Sequence, residues 1–147
     1  MKYSEAKQGR VFILRLEDGD IVHEEIEQFA VTHGIKAASL IIVGGADDGS
    51  CLVVGPAEDR GLPLNPMKMV LKNAHEVVGT GTLFCDEDGL PLLHMHLACG
   101  RSGETATGCI REGVKVWHIM EVIIHELIET TAKRVVEKPL GLKLLQP

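Results

Sequence analysis

Aromatic residues are scarce in this chain: one Trp, one Tyr and three Phe make up 3% of its 147 residues. That leaves no row of rings on which single-stranded nucleic acid could stack. Positive charge is also in deficit, with 15 Lys and Arg against 21 Asp and Glu and a net charge of −6. Nucleic-acid binders carry a basic face that neutralises phosphates. Here the basic residues are scattered, and the densest group is Lys133, Arg134, Lys138 and Lys143. A tight DNA grip by the monomer is therefore not expected, although an oligomer can gather charge on one surface. No apolar run approaches the roughly 20 residues of a membrane span. Met1 to Glu5 lacks the apolar stretch of a signal peptide, so a cytoplasmic location and no membrane partner are expected. The four cysteines, Cys51, Cys85, Cys99 and Cys109, form neither a dense framework nor a Cys-x-x-Cys pair. In a reducing compartment they are free thiols or metal ligands.

What is present is enough apolar residue, 45%, to bury one ordinary core, and the length favours one domain over residues 1–147. Arg10 to Leu16 reads as a strand, and Glu17-Asp18-Gly19 turns the chain. Asp20 is the expected N-cap of a helix to about His33, stopped by Gly34. Its apolar stripe is Ile21, Val22, Ile26, Phe29 and Ala30, with Glu24, Glu25 and Glu27 on a solvated face. Strands are expected at Ala37 to Val43, Cys51 to Val54, Met67 to Leu71 and His75 to Phe84, with Gly55 to Pro66 as a loop. Gly79 and Gly81 inside a strand suggest a bulge or a close backbone approach. Asp86 to Gly89 is a hairpin turn, and Gly100 to Gly103 a second. Val114 to Leu127 is a long β-branched strand, followed by an extended piece from Arg134 to Leu145. One strand, one helix and then mostly strands make an α+β chain with an antiparallel or mixed sheet.

The chemistry concentrates in Leu90 to Ala98, which holds His94-Met95-His96. Side chains alternate along a strand, so the two imidazoles share a face. Cys109 follows thirteen residues after His96, and two imidazoles with a thiolate form a zinc ligand set. Mixed nitrogen and sulfur ligation favours zinc over magnesium or calcium. The alternative is a histidine pair hydrogen-bonded in a core or interface. Cys99 is out of phase with the histidines and reads as a core thiol. His118 is a core or interface histidine that could reach the site from a neighbouring strand. His75 and His125 have no partner in sequence. Arg101 and Arg111 flank Cys109 and suit an anionic ligand, although solvated turn residues explain them as well. Glu121, in an apolar strand, needs a partner if buried.

Several of these segments together resemble the Plants and Prokaryotes Conserved (PPC) domain. They are Arg10 to Leu16, Thr32-His33-Gly34-Ile35, Ile41 to Gly45, Gly79-Thr80-Gly81, Asp88 to Pro91, His94 to Leu97, Thr107 to Ile110 and Glu121-Val122. The likeness covers a core of about 9–127, with 128–147 as a C-terminal extended segment. It implies a small α+β subunit on an antiparallel, barrel-like sheet with one main helix, assembled as a homotrimer. Similar plant domains accompany AT-hook segments, and prokaryotic single-domain members are described as predicted DNA-binding proteins. Some archaeal members hold a metal. The fold is similar to that of acetolactate decarboxylase, a zinc enzyme with a His-x-His pair and a later His. The expected roles are thus a binding and assembly module with zinc at His94, His96 and Cys109, DNA-associated or regulatory, or else a zinc enzyme acting on a small anionic carboxylate or keto acid. The chain departs from the family at Thr107-Gly108-Cys109, where Gly-Gly-His is usual; cysteine keeps the site a zinc site. The turn Gly100 to Thr105 reads as slightly long, which would displace the third ligand. There is no Arg-Gly-Arg-Pro hook.

Overall fold

The computed structural model describes residues 1–58, 62 and 64–147. In chain order the elements are β1 (Lys7–Glu17), α1 (Val22–His33), β2 (Ala37–Ala46), β3 (Cys51–Pro56), β4 (Pro66–Val70), β5 (His75–Cys85), β6 (Pro91–Arg101), β7 (Glu104–Cys109), β8 (Val116–Ile128), β9 (Lys133–Glu137) and β10 (Leu142–Gln146). Part of the loop expected between Gly55 and Pro66 lies outside the described residues.

Eight strands form one sheet in the order β1-β8-β2-β5-β6-β7-β3-β4, and β9 and β10 form a separate hairpin. The pairs among the described residues are antiparallel, so the mixed alternative falls. The barrel-like expectation also needs correcting. Closure requires staggered pairing all the way round, whereas β1 and β4 end the strand order without pairing with each other. Pairing also thins toward β4, where β7 meets β3 in register at one pair, Val53 with Cys109. The result is an open sheet with two edges.

One sheet face carries the core. Leu40 and Ile42 of β2, Leu83 of β5, Leu93, Met95 and Leu97 of β6, and Met120, Val122 and Ile124 of β8 are buried there with Val22, Ile26 and Ala30 of α1. The helix begins at Ile21, which supplies no side-chain cap. Asp20 instead accepts a hydrogen bond from the Glu17 amide at 2.8 Å and braces the turn out of β1. Gly34 ends the helix with φ +66°, a left-handed conformation that glycine adopts without a Cβ penalty. Glu27 is not solvated as expected; its carboxylate accepts the Leu93 amide at 2.8 Å and ties α1 to β6.

The buried carboxylate of β8 is Glu126, not Glu121, which is exposed. Arg10 donates to it through Nε at 2.7 Å and Nη2 at 2.6 Å, and the Arg10 amide donates at 3.0 Å. Arg10 Nη2 also reaches the His33 carbonyl at the end of α1. The β1–β8 register shifts between Gln8 and Val11, beside this fork. Hydrogen bonding from Arg10 lowers the Glu126 pKa from 4.5 to about 2. A depressed carboxylate pKa contributes stability above the unfolded value and loses it as pH falls through the folded one. Urea midpoints are therefore expected to fall between about pH 4.5 and 2 in part through this pair. Glu126→Gln should lower stability at pH 7 and flatten the decline over that window. An unchanged acid profile in the variant would refute the assignment.

Candidate metal centre

β6 alternates cleanly. Leu93, Met95, Leu97 and Cys99 enter the core, while His94 and His96 are exposed on the opposite face. Gly79 and Gly81 of β5 let this strand sit close. A Cβ on Gly79 would lie 2.6 Å from the His96 carbonyl, and one on Gly81 2.8 Å from Met95 Cβ. The β5–β6 register is unbroken from Glu76 to Cys85, so these glycines mark a close approach and not a bulge.

Cys109 ends β7; Thr107 and Gly108 lie in that strand, not in a turn. The preceding turn is shorter than the sequence suggests. Arg101 pairs with Glu104, leaving Ser102 (φ +53°) and Gly103 (φ +85°) between them. Two central residues with positive φ give the type I′ geometry that suits strand twist. Register then runs without a slip to His96 opposite Cys109, so the third residue is not displaced. Successive cross-strand partners place Ile13, Ile123, Ile41, Thr80, His96 and Cys109 in one row across six strands. Partners directly opposite share a sheet face.

The His94 and His96 Nε2 atoms are 3.2 Å apart, with rings crossing at 81°. A hydrogen bond fits this distance if one nitrogen keeps its proton. It also fits the edge of a tetrahedron around zinc, which with bonds of about 2.0–2.1 Å is about 3.3–3.4 Å. The donor atoms of His94, His96 and Cys109 all lie within 4.8 Å of one another. The three residues can hold a metal ion, and one tetrahedral position remains for another ligand.

Beside the triad a cleft of about 330 Å³ opens on His94 and Cys109. Its far wall is the β9–β10 hairpin, which supplies Arg134 and Leu142 to Leu144. Arg134 is 3% exposed. Its Nη2 donates to the Thr82 hydroxyl at 3.0 Å and the Thr82 carbonyl at 3.3 Å, and its Nε to the Leu92 carbonyl at 3.3 Å. Thr82 is the cross-strand partner of His94, so these bonds fix the guanidinium next to the first histidine. Partial desolvation by the surrounding protein, then the charges of Arg134, His96 and Arg111, lower the His94 pKa and favour the neutral imidazole. Burial and then Arg111 lower the Arg134 pKa, opposed by Cys109.

Other sequence candidates lie elsewhere. Cys99 is buried in the core, and burial raises its thiol pKa to about 11. Arg101 donates to the Ala74 carbonyl at 2.6 Å and lines different clefts. His118 is exposed, with φ +60°, and its amide donates to Asp18 at 2.7 Å. Its strand β8 is separated from β6 by β2 and β5. His125 shares that strand, and His75 Nδ1 lies 3.0 Å from the Asn73 carbonyl. Of the two flanking arginines only Arg111 reaches the triad's cleft. Sequence reasoning did not assign Arg134 to the site.

The sequence profile of the Plants and Prokaryotes Conserved (PCC) domain, also abbreviated PPC, matches residues 3–128. The chain belongs to this family. No curated protein matches it. Among solved structures, this PCC-domain chain is similar to a metal-containing protein from Archaeoglobus fulgidus, with 26% identity, a TM-score of 0.85 and 100% of both chains covered. A plant- and prokaryote-conserved protein from Pyrococcus horikoshii is 20% identical, with a TM-score of 0.85 over 100% of this chain and 98% of that one. A candidate DNA-binding protein from Ralstonia eutropha JMP134 is 23% identical, with a TM-score of 0.73 over 92% and 90% of the two chains. At the two lower identities the likeness is one of fold. Among the described residues no helix is long and apolar enough to cross a membrane.

Proposed function

We propose that this PCC-domain chain is a zinc-holding binding module that assembles as a homotrimer, with residues 1–147 acting as one unit. The clustering of His94, His96 and Cys109 donors within 4.8 Å carries the metal part. Nitrogen and sulfur donors favour zinc, and the metal-containing Archaeoglobus fulgidus relative supports a bound ion. Three protein ligands with an open position are the arrangement of catalytic zinc, whereas a fourth protein ligand closes structural sites. The cleft at His94 and Cys109 therefore favours a second reading, a zinc-dependent enzyme acting on a small anionic carboxylate or keto acid. Elemental analysis of the purified protein tests the shared metal claim.

Association with DNA rests on the description of the Ralstonia eutropha neighbour, and the net charge of −6 opposes tight binding. Non-specific affinity is expected to be on the order of 10⁻⁴ M or weaker at physiological salt. Fluorescence anisotropy with a labelled duplex measures it. Sub-micromolar binding with a steep salt dependence would mean that the assembly concentrates its basic residues, and DNA binding would then take first place.

A further inference from the structure

Among the described residues two cations face the cleft without an acidic partner. Four charged side chains line it: Arg111, Glu112, Arg134 and Lys143. Glu112 is paired with Lys68, and Lys143 with Asp86 at 2.6 Å. Among the described residues neither Arg111 nor Arg134 has a carboxylate partner. Arg134 is the more telling of the two because it is buried. Its recorded hydrogen bonds go to neutral oxygens of Thr82 and Leu92, and a buried charge is costly unless an opposite charge balances it. A divalent ion held by one thiolate adds further positive charge to the same space. The rest of the lining is largely apolar, with Val53 and Pro66 on one side and Leu142 and Leu144 of the hairpin on the other.

We propose that this cleft binds a small monocarboxylate with a short apolar tail. Its oxygens are shared between the open metal position and the guanidiniums of Arg111 and Arg134, and its tail lies against Leu142 and Leu144. The inference rests on the zinc reading above and narrows its small-carboxylate alternative to a monocarboxylate held by named residues. A cleft of about 330 Å³ lies at the small end of ligand sites and has room for an anion of a few carbons. Phosphate satisfies the cations but leaves the apolar wall without a partner. A guanidinium suits a carboxylate because its planar fork matches two oxygens. Arg134 arrives on β9, beyond the 3–128 stretch that the family profile matches, so the C-terminal hairpin is what turns an open sheet face into a ligand cleft.

The test uses full-length protein loaded with cobalt(II) in place of zinc, with butyrate as the probe. The thiolate-to-cobalt band first reports whether the ion sits on Cys109. Butyrate should then change the visible spectrum saturably and bind more tightly than inorganic phosphate. Arg111→Gln, at an exposed turn, should weaken butyrate by about tenfold or more, the worth of a charge-assisted hydrogen bond, while cobalt content stays at that of the parent. Arg134→Lys keeps the charge but loses the fork, and should weaken binding in the same direction. Cobalt uptake with no response to butyrate overturns this proposal alone, as does phosphate binding as tightly as butyrate or an Arg111→Gln variant of unchanged affinity. Failure to take up cobalt at Cys109 overturns the zinc reading together with it.

Discussion

Protein purified without chelator is expected to carry about one zinc per chain, and His94→Ala, His96→Ala or Cys109→Ala should remove most of it. The expected loss is large because each substitution leaves two protein ligands. Changing an outer partner of a metal ligand already costs about 10–100-fold in affinity, so losing a ligand itself should exceed about a hundredfold. Stability should follow occupancy. A ligand that binds only the folded state adds about 2.7 kcal/mol when present at 100 times its dissociation constant, so a chelator should lower the melting temperature of the parent and leave Cys109→Ala unmoved. Cys99→Ser is the internal control, because Cys99 faces the core with a thiol pKa raised to about 11. Its metal content should equal that of the parent, although its stability need not. Elemental analysis after dialysis reads all four variants. Full zinc in Cys109→Ala, with loss confined to Cys99→Ser, would move the site to the other face of β6.

Periodicity placed the candidate ligands on one strand face, and short-range chemistry hid what surrounds them. The alternation through Leu93, His94, Met95, His96 and Leu97 separates the two histidines from the core without any structure, and the same phase argument puts Cys99 in the core. Gly34 as a helix stop was also legible, because glycine marks a backbone requirement; Gly79 and Gly81 left a bulge and a close approach both open, and the unbroken β5–β6 register decides for the approach. Asp20 misled because it suits two jobs: its carboxylate accepts from Glu17 just before the helix instead of capping it. Gly100 to Thr105 looked long because positive φ at Ser102 is invisible in a serine; with Gly103 it makes a two-residue turn and sets His96 opposite Cys109. Arg134 was legible only as a member of a basic group, with nothing to place it near His94. It lies 40 residues after His94 in an extended piece with a basic neighbour, and only the fold of the β9–β10 hairpin over Thr82 gives it a place. Openness of the sheet was beyond reach for the same reason. Strand patterns say which face is buried, but not whether the first and last strands meet.

Light scattering is expected to give a mass near three times 16.0 kDa, and a charge placed in the outer face of the sheet should reduce it to one chain. The surface argument comes from the face opposite the core. Ile13 is 83% exposed, Val78 60%, Ile41 50% and Val43 and Val11 47% each. In register they lie side by side. Ile13, Ile123 and Ile41 form the row that continues to His96 and Cys109, and Val43 pairs with Val78 in the next. Contiguous apolar surface of this kind marks an interaction site, and full burial of one isoleucine is worth about 1.5–3 kcal/mol. Within β8 only the outward residues such as Ile123 can join this surface, since Val116, Met120, Val122 and Ile124 are spent in the chain's own core. A second copy is the occupant proposed here, and the three-fold order follows from the resemblance to the family. Ile13→Asp or Ile41→Asp repeats its charge in every subunit, and a desolvated, unpaired carboxylate costs several kcal/mol per copy. Dissociation at micromolar concentration is the expected result, with an unchanged far-ultraviolet circular dichroism spectrum because neither side chain supports the core. Ile26→Val, wholly inside it, should leave the mass at three chains. A parent protein that runs as a clean monomer, or Asp variants that keep the parent's mass, would defeat the assembly proposal.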